Sequence, residues 1–151
     1  MIPIKQEFRH NPPHSYGDCH RAAIASLLEL ALDDVPHFME GLGPKDGEIF
    51  TKRQSEFLNS VGLDCITFPV NGELNAVFAA CAAWNPNRLF LLGGRSISNV
   101  GHTVVASQEG IVHDPHPDNV GIIGHMDDGY YWLSYIVGLG LPYLYRKIGH
   151  H

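Results

Sequence analysis

Apolar residues recur at helical spacing in three segments of the first half of the chain and alternate as in strands over most of the second half. The helical spacing predicts helices over residues 19–32, 51–61 and 73–84. Asp18 is the candidate N-cap of the first helix, and the wide apolar face of this helix predicts a central position in the core. Gly62 is the expected C-terminal cap of the second helix, and Asn85-Pro86 ends the third.

Alternating apolar positions predict short strands over residues 63–70, 88–93, 102–108, 111–113 and 130–137. Glu109 and Gly110 join the third and fourth of these as a tight hairpin. Helices gathered in the first half and strands in the second are typical of an α+β domain, in which helices pack against an antiparallel sheet. We therefore expect one domain over residues 1–148, and we interpret residues 149–151 as the start of a purification tag.

Composition and charge exclude several classes of function. With 151 residues, of which 44% are hydrophobic and 17% charged, the chain is long enough to bury one core. A formal net charge of −6 and the lack of a Lys/Arg cluster argue against nucleic-acid binding. No apolar run is long enough to span a bilayer, and the N-terminus lacks the pattern of a signal peptide. We therefore expect a soluble cytoplasmic protein without a membrane partner.

The three cysteines of the chain are odd in number and widely spaced, which fits neither a disulfide framework nor a paired-cysteine zinc site. A reducing compartment accounts for them more simply. Free cysteine is most often a small buried apolar residue, and we predict this role for Cys65 and Cys81. Cys19 differs, because it follows Gly17 and Asp18 at the start of the central apolar helix.

Cys19, His102 and Asp114 are the candidate catalytic residues. A thiol in the first turn of a helix feels the positive end of the helix dipole, which favours the thiolate. His102 begins one strand of the predicted hairpin and Asp114 ends the other, so we expect their side chains to be neighbours. A thiolate, a general base and a carboxylate that orients the base are the groups that cysteine catalysis needs. His20 and Arg21, which follow Cys19, are predicted to be solvated on the helix surface.

Three short motifs carry a resemblance to a known family. Residues 17–19 read Gly-Asp-Cys, residues 101–105 read Gly-His-Thr-Val-Val, and residues 112–115 read Val-His-Asp-Pro. In this order they resemble the papain-like cysteine peptidase superfamily, nearest the bacteriocin-leader peptidase branch and its stand-alone bacterial and phage relatives. The resemblance covers about residues 6–115. It implies a papain-like fold with the nucleophile's helix packed on a C-terminal antiparallel sheet, a thioester intermediate, and no metal or organic cofactor.

The resemblance also implies an oxyanion donor. Such families place a glutamine before the cysteine, and its side chain helps the cysteine's backbone amide to stabilise the transition-state oxyanion. Gln6 is the only glutamine before Cys19, but residues 9–15 make the spacing longer than is usual in the family. Asn11 and His14 are alternative donors, and Gln6 is equally well interpreted as a polar residue of an N-terminal arm.

A metal site is one alternative. Residues 113–118 are dense in His and Asp, and further candidate ligands are His102, His125, Asp127 and Asp128. Strand alternation sends His113 and Asp114 to opposite faces of the sheet, which disfavours one shared ion. We therefore predict no metal site.

A binding module without chemistry is the other alternative. It would use a cleft lined by aromatic residues of the last segment, namely Tyr130, Tyr131, Trp132, Tyr135, Tyr143 and Tyr145. Aromatic residues of alternating strands more often belong to the core or its cover. The joint presence of a nucleophile, a base and an orienting carboxylate favours catalysis instead.

The predicted function is hydrolysis of a peptide or isopeptide bond. The same triad serves amidases, deamidases and acyltransferases, which form the second prediction. The acidic balance of the chain and the loop over residues 41–47 indicate a peptide or protein substrate.

Overall fold

The computed structural model of the protein describes residues 1–139, which form three α-helices and five strands. The helices are α1 (Cys19–Leu28), α2 (Gly47–Ser60) and α3 (Leu74–Trp84), with a single 3₁₀ turn at Leu32–Asp34. The strands are β1 (Leu63–Val70), β2 (Phe90–Arg95), β3 (Gly101–Ser107), β4 (Gly110–His113) and β5 (Tyr131–Gly138). The predicted domain end at residue 148, the tag at 149–151, and Tyr143 and Tyr145 lie outside the described residues.

The strands form one sheet in the order β1-β5-β2-β3-β4, in which every described pair is antiparallel. The α+β class predicted from the sequence is confirmed. β1 precedes α3 in the chain, as predicted, and β1 joins the sheet only through β5. Their register runs from Leu63 opposite Gly138 to Val70 opposite Tyr131.

Both faces of the sheet centre are covered by apolar side chains. The cluster on the α3 side comprises Val77, Cys81, Phe90, Leu92, Val104, Ala106, Ile122, Tyr131 and Leu133. The cluster on the α1 side comprises Ala23, Ile24, Ala25, Val35, Phe38, Leu91 and Val105. Adjacent residues such as Leu91 and Leu92 therefore face opposite layers, which explains the continuous apolar runs of β2 and β3.

The helix boundaries differ from the prediction at two places. α1 ends at Leu28, not residue 32, because Glu29 adopts a left-handed conformation (φ 56°) and its N–H bonds to Ala25. α2 begins at Gly47, one turn before the predicted start. Gly62, at φ +78°, follows α2 as predicted.

No helix among residues 1–139 is long and apolar enough to cross a membrane.

Candidate functional site

The start of α1 presents Cys19 with its first-turn backbone amides uncapped by a side chain. Asp18 occupies the predicted N-cap position, but its carboxylate makes no capping hydrogen bond. It accepts instead from the Phe8 backbone N–H at 2.8 Å and from the Arg21 guanidinium at 3.4 Å. The free N–H groups of the first helical turn thus remain available to an anion beside Cys19, where the helix dipole also favours negative charge.

His102 and Asp114 form a buried pair at the end of the β3–β4 hairpin. Only 5% of His102 and 8% of Asp114 is exposed. The hairpin pairs Ser107 with Gly110, and its two free ends bring His102 Nε2 to 2.7 Å from Asp114 Oδ1. The predicted neighbourhood of these two side chains is therefore present in the structure.

The turn after β4 uses its own backbone to hold the Asp114 carboxylate. Oδ1 accepts from the His116 N–H at 2.9 Å, and Oδ2 accepts from the Gly121 N–H at 2.7 Å. Burial raises the pKa of Asp114, but the hydrogen bonds from His102 and from these two amides outweigh it and lower the pKa to about 2. Asp114 is therefore a fully ionised partner for His102 at neutral pH.

Cys19 lies near enough to His102 to affect the pKa of the imidazole. Burial lowers the pKa of His102, but the hydrogen bond to Asp114 and the influence of the nearby Cys19 sulfur outweigh it and raise the pKa to about 9. Because Nε2 is engaged by Asp114, Nδ1 is the ring nitrogen that is left for a second partner. The arrangement therefore stabilises an imidazolium beside Cys19 at neutral pH, the partner that a thiolate needs.

Residues 1–8 form a segment that we name the N-terminal strap, and it joins the two halves of the site. On the α1 side, the Ile4 N–H donates to Ser26 Oγ at 2.9 Å. On the sheet side, His113 Nε2 donates to the Ile4 carbonyl at 2.7 Å, and the Gln6 N–H donates to the Pro115 carbonyl at 2.9 Å. The strap therefore ties α1, which carries Cys19, to the turn that carries Asp114.

Gln6, whose backbone N–H makes the bond to Pro115, has a buried side chain: the residue is 8% exposed. Its Nε2 donates to the Phe8 carbonyl at 2.6 Å, while its buried Oε1 has no hydrogen-bond partner among the described residues. The alternative donors Asn11 and His14 lie exposed on a turn that is closed by an Asn11–Ser15 bridge. Of the three candidates, only Gln6 is buried.

Lys5 belongs to the site, although no local sequence pattern indicated it. Its Nζ donates to the carbonyls of Asp114 at 2.8 Å and His116 at 2.9 Å, and to Asn119 Oδ1 at 2.6 Å. These partners lie more than a hundred positions away along the chain, so no local pattern could reveal them. Lys5 clamps the turn whose amides hold the Asp114 carboxylate.

The prediction that His20 and Arg21 are solvated is wrong. Arg21 is 9% exposed, and its Nε donates to the Val35 carbonyl at 2.7 Å. His20 makes hydrogen bonds with Thr103 and Gln54 through its two ring nitrogens. The cause is the central position of α1, which is buried on all sides over residues 21–26.

The other two cysteines lie outside the site. Cys81 is buried in the α3 cluster, as predicted. Cys65 is half-buried on β1, with its sulfur 3.4 Å from Thr67 Oγ1, and burial raises the pKa of its thiol. It is therefore not the core residue that the strand pattern predicted, because β1 is an edge strand.

The proposed ligands of the metal alternative have other partners. His113 donates to the strap and Asp114 bonds to His102, so adjacent side chains diverge as strand alternation predicts. Within residues 1–139, no group of three or more His, Cys, Asp or Glu side chains is placed to hold a metal ion.

The aromatic residues of β5 do not line the cavity that lies beside α1. Tyr131 is buried in the core, and the Tyr135 ring stacks on Phe68 with centroids 6.0 Å apart. A cavity of about 440 Å³ lies instead beside α1 and the strap, lined by Glu7, Phe8, Arg21, Asp33, Asp34, Val35, Pro36, His37, Glu40 and Phe57. Sequence reasoning missed it because its walls come from four separate segments.

Comparison with known proteins finds no family model, curated protein or solved structure that matches the chain. A function is therefore inferred from the geometry of the site.

Proposed function

We propose that the protein is a cysteine-dependent hydrolase that cleaves a peptide or isopeptide bond. Cys19 is the nucleophile, His102 the general base and acid, and Asp114 the residue that orients His102. The observation that carries the proposal is the buried 2.7 Å bond between His102 and Asp114, with Cys19 beside His102 at a helix start that no side chain caps.

We further propose that the fold is papain-like. Two features support this: α1, which carries the candidate nucleophile, packs on β3 of an antiparallel sheet, and β3 carries the candidate base. The order Cys, His, Asp along the chain agrees with the resemblance described above.

In the first half of the reaction, the Cys19 thiolate attacks the substrate carbonyl carbon, and the C=O electron pair moves onto oxygen. The His102 imidazolium then gives its Nδ1 proton to the amide nitrogen as the C–N bond breaks. The amine leaves, and the acyl group stays on Cys19 Sγ as a thioester. Asp114 keeps Nε2 protonated throughout, so that Nδ1 is always the nitrogen that exchanges the proton.

In the second half, a water molecule replaces the amine. His102 Nδ1 takes a proton from the water as its oxygen attacks the thioester carbon, and the C–S bond breaks. The product is a carboxylic acid, which releases its remaining proton to solvent as it leaves as a carboxylate. The proton on His102 restores the starting ion pair with the Cys19 thiolate.

The oxyanion formed in both halves requires preorganised donors. The Cys19 backbone N–H, at the uncapped start of α1, is the first donor. Gln6 Nε2 is the proposed second donor, because one of its two N–H groups is held by the Phe8 carbonyl and the other is left for substrate.

The test is turnover of a peptide mixture that includes lysine isopeptides and glutamine-containing peptides, followed by mass spectrometry. We expect peptide or isopeptide cleavage and an acyl adduct on Cys19, both absent in Cys19→Ala and retained in Cys65→Ser. Conversion of glutamine to glutamate, or transfer of the acyl group to an amine, would identify the deamidase or acyltransferase alternative. A wild-type protein with neither turnover nor adduct would contradict the proposal and favour a binding module.

A further inference from the structure

His20 is half-buried and joins three elements through a chain of polar side chains. Its Nδ1 lies 3.1 Å from Thr103 Oγ1 on β3, and its Nε2 is bonded to Gln54 Oε1 on α2. Thr103 is 9% and Gln54 is 6% exposed. The Phe50 ring packs edge-on against the imidazole, with centroids 4.8 Å apart.

The proton positions in this chain follow from the chemistry of the partners. Gln54 Oε1 can only accept a hydrogen bond, so His20 Nε2 carries the proton. Burial lowers the pKa of His20 to about 4, with the Gln54 hydrogen bond opposing it. The ring is therefore neutral at pH 7, and its unprotonated Nδ1 accepts from the Thr103 hydroxyl.

We infer that His20 and Thr103 are positioning residues, whose hydrogen bond fixes the position of the nucleophile relative to the base. His20 directly follows Cys19 on α1, and Thr103 directly follows His102 on β3. The inference rests on the proposed function, which assigns Cys19 and His102 their roles.

The physical reason lies in the rest of the α1–β3 contact. It is built from small and branched apolar side chains, such as Ala23, Ile24 and Val105. Apolar contact is non-directional and permits small sliding of one element along another. The His20–Thr103 bond is directional, and it acts one residue away from the reacting atoms on both sides. A displacement of about 1 Å between catalytic groups can cost about 100-fold in rate.

The test compares Thr103→Val, which removes the hydroxyl and keeps the shape, with Thr103→Ser, which restores it. Ser134→Ala is the matched control, because it also removes a buried hydroxyl. The Ser134 hydroxyl lies on β5 and is bonded to Thr67 on β1 at 2.8 Å, away from the contact of α1 with β3. The readout is the rate at which iodoacetamide alkylates Cys19, measured between pH 5 and pH 9. The titratable groups around the Cys19–His102 pair are Asp114 and His116 after β4, and both remain in every variant.

We expect Thr103→Val to lower the Cys19 alkylation rate at pH 6 by about tenfold, with Thr103→Ser and Ser134→Ala within about twofold of wild type. A folded Thr103→Val protein with the wild-type rate and profile would overturn the inference while leaving the proposed function intact. A wild-type Cys19 that behaves as an ordinary thiol would overturn both.

The wild-type protein supplies a second readout if Thr103→Val does not fold. Nitrogen NMR of labelled histidine should show His20 in the Nε2–H form at pH 7, with a titration midpoint near 4. An Nδ1–H form, or a midpoint at the ordinary 6.5, would overturn the inference.

Discussion

His102 has two neighbours that are negatively charged when ionised, the Asp114 carboxylate bonded to Nε2 and the Cys19 thiol. Each favours the protonated ring, and together they outweigh the cost of burying its charge. At the scale of single residues, the site therefore stabilises the protonated form of His102 beside Cys19 at neutral pH.

Asp114→Asn removes the charge that stabilises this imidazolium. In the wild type, the pKa of His102 is about 9, so the ring stays protonated until the pH rises through that value. In the variant we expect the titration midpoint of the His102 ring, measured by NMR, to fall by at least about one unit. Asp118→Asn is the control, because this exposed carboxylate pairs with Arg9 instead. A wild-type midpoint at the ordinary 6.5 would contradict the prediction.

Local sequence rules were sufficient for the three candidate catalytic residues and insufficient for their supports. The helix start marked Cys19, and hairpin geometry placed His102 beside Asp114. Lys5 and Thr103 gave no such signal, because their roles depend on partners brought close only by the complete fold. Local sequence patterns were therefore enough to predict the candidate catalytic residues, whereas the residues that support them are recognised only from tertiary contacts.

The N-terminal strap is the element that holds the Asp114 side of the site. Three hydrogen bonds from Lys5 Nζ hold the turn that follows β4. The same strap bonds to α1 through Ile4 and Phe8. A substitution that displaces the strap should therefore perturb both α1 and the turn that carries Asp114.

Lys5→Met tests this role. It removes a charged donor from three oxygen atoms. Because Lys5 is exposed and its charge is screened by solvent, we expect the free energy of unfolding to fall by about 1–2 kcal/mol, measured by urea denaturation. Lys52→Met is the matched control, since Lys52 is exposed and makes only a 3.8 Å contact with Glu56; its effect should stay below about 0.5 kcal/mol. Equal effects of the two substitutions would show that the strap clamp contributes no special stability.

The strands were predicted closely because apolar alternation and turn residues mark them locally. The order of the strands in the sheet was not predicted, because no residue near β1 in the sequence indicates that β5 lies between β1 and β2. Helix ends were less accurate for a physical reason: Glu29 stops α1 by adopting a left-handed backbone that glutamate rarely prefers.

At the scale of the whole molecule, Gly94 is where the sheet meets the loop that supplies an amide to Asp114. It pairs with His102 across β2 and β3. A Cβ atom there would lie 2.6 Å from Ile122 Cγ2 and 2.8 Å from the Gly124 carbonyl oxygen. The loop and the sheet can pack this closely only because residue 94 has no side chain.

Gly94→Ala should therefore destabilise the protein by about 1–3 kcal/mol in urea denaturation. Gly47→Ala is the control: a Cβ there meets nothing within 4 Å, and alanine suits the first turn of α2. It should be neutral or stabilising by up to about 1 kcal/mol. An unchanged stability for Gly94→Ala would mean that the loop is not packed as described.

The His102–Asp114 pair also gives the molecule a defined pH dependence. The raised pKa of His102 adds stability that is complete below 6.5 and is lost as pH rises through about 9. The lowered pKa of Asp114 adds stability that is complete above 3.8 and is lost as pH falls through about 2.

The difference in unfolding free energy between wild type and Asp114→Asn should therefore be largest between about pH 4 and pH 6.5. The difference should become smaller as the pH falls below this range and as it rises above it. Urea denaturation across this range measures it. His20, whose pKa is lowered to about 4, titrates in both proteins, so its contribution cancels in the difference. A difference that is flat with pH would contradict the ion pair.

The most direct measurement is the rate of Cys19 alkylation by iodoacetamide against pH, in wild type and in His102→Ala, with the modified cysteine identified by mass spectrometry. The predicted result is fast modification of Cys19 already at pH 6 in the wild type, slowed at least about tenfold in His102→Ala. A Cys19 that in both proteins reacts only as the pH nears the ordinary thiol value of about 8.5 would contradict the central claim.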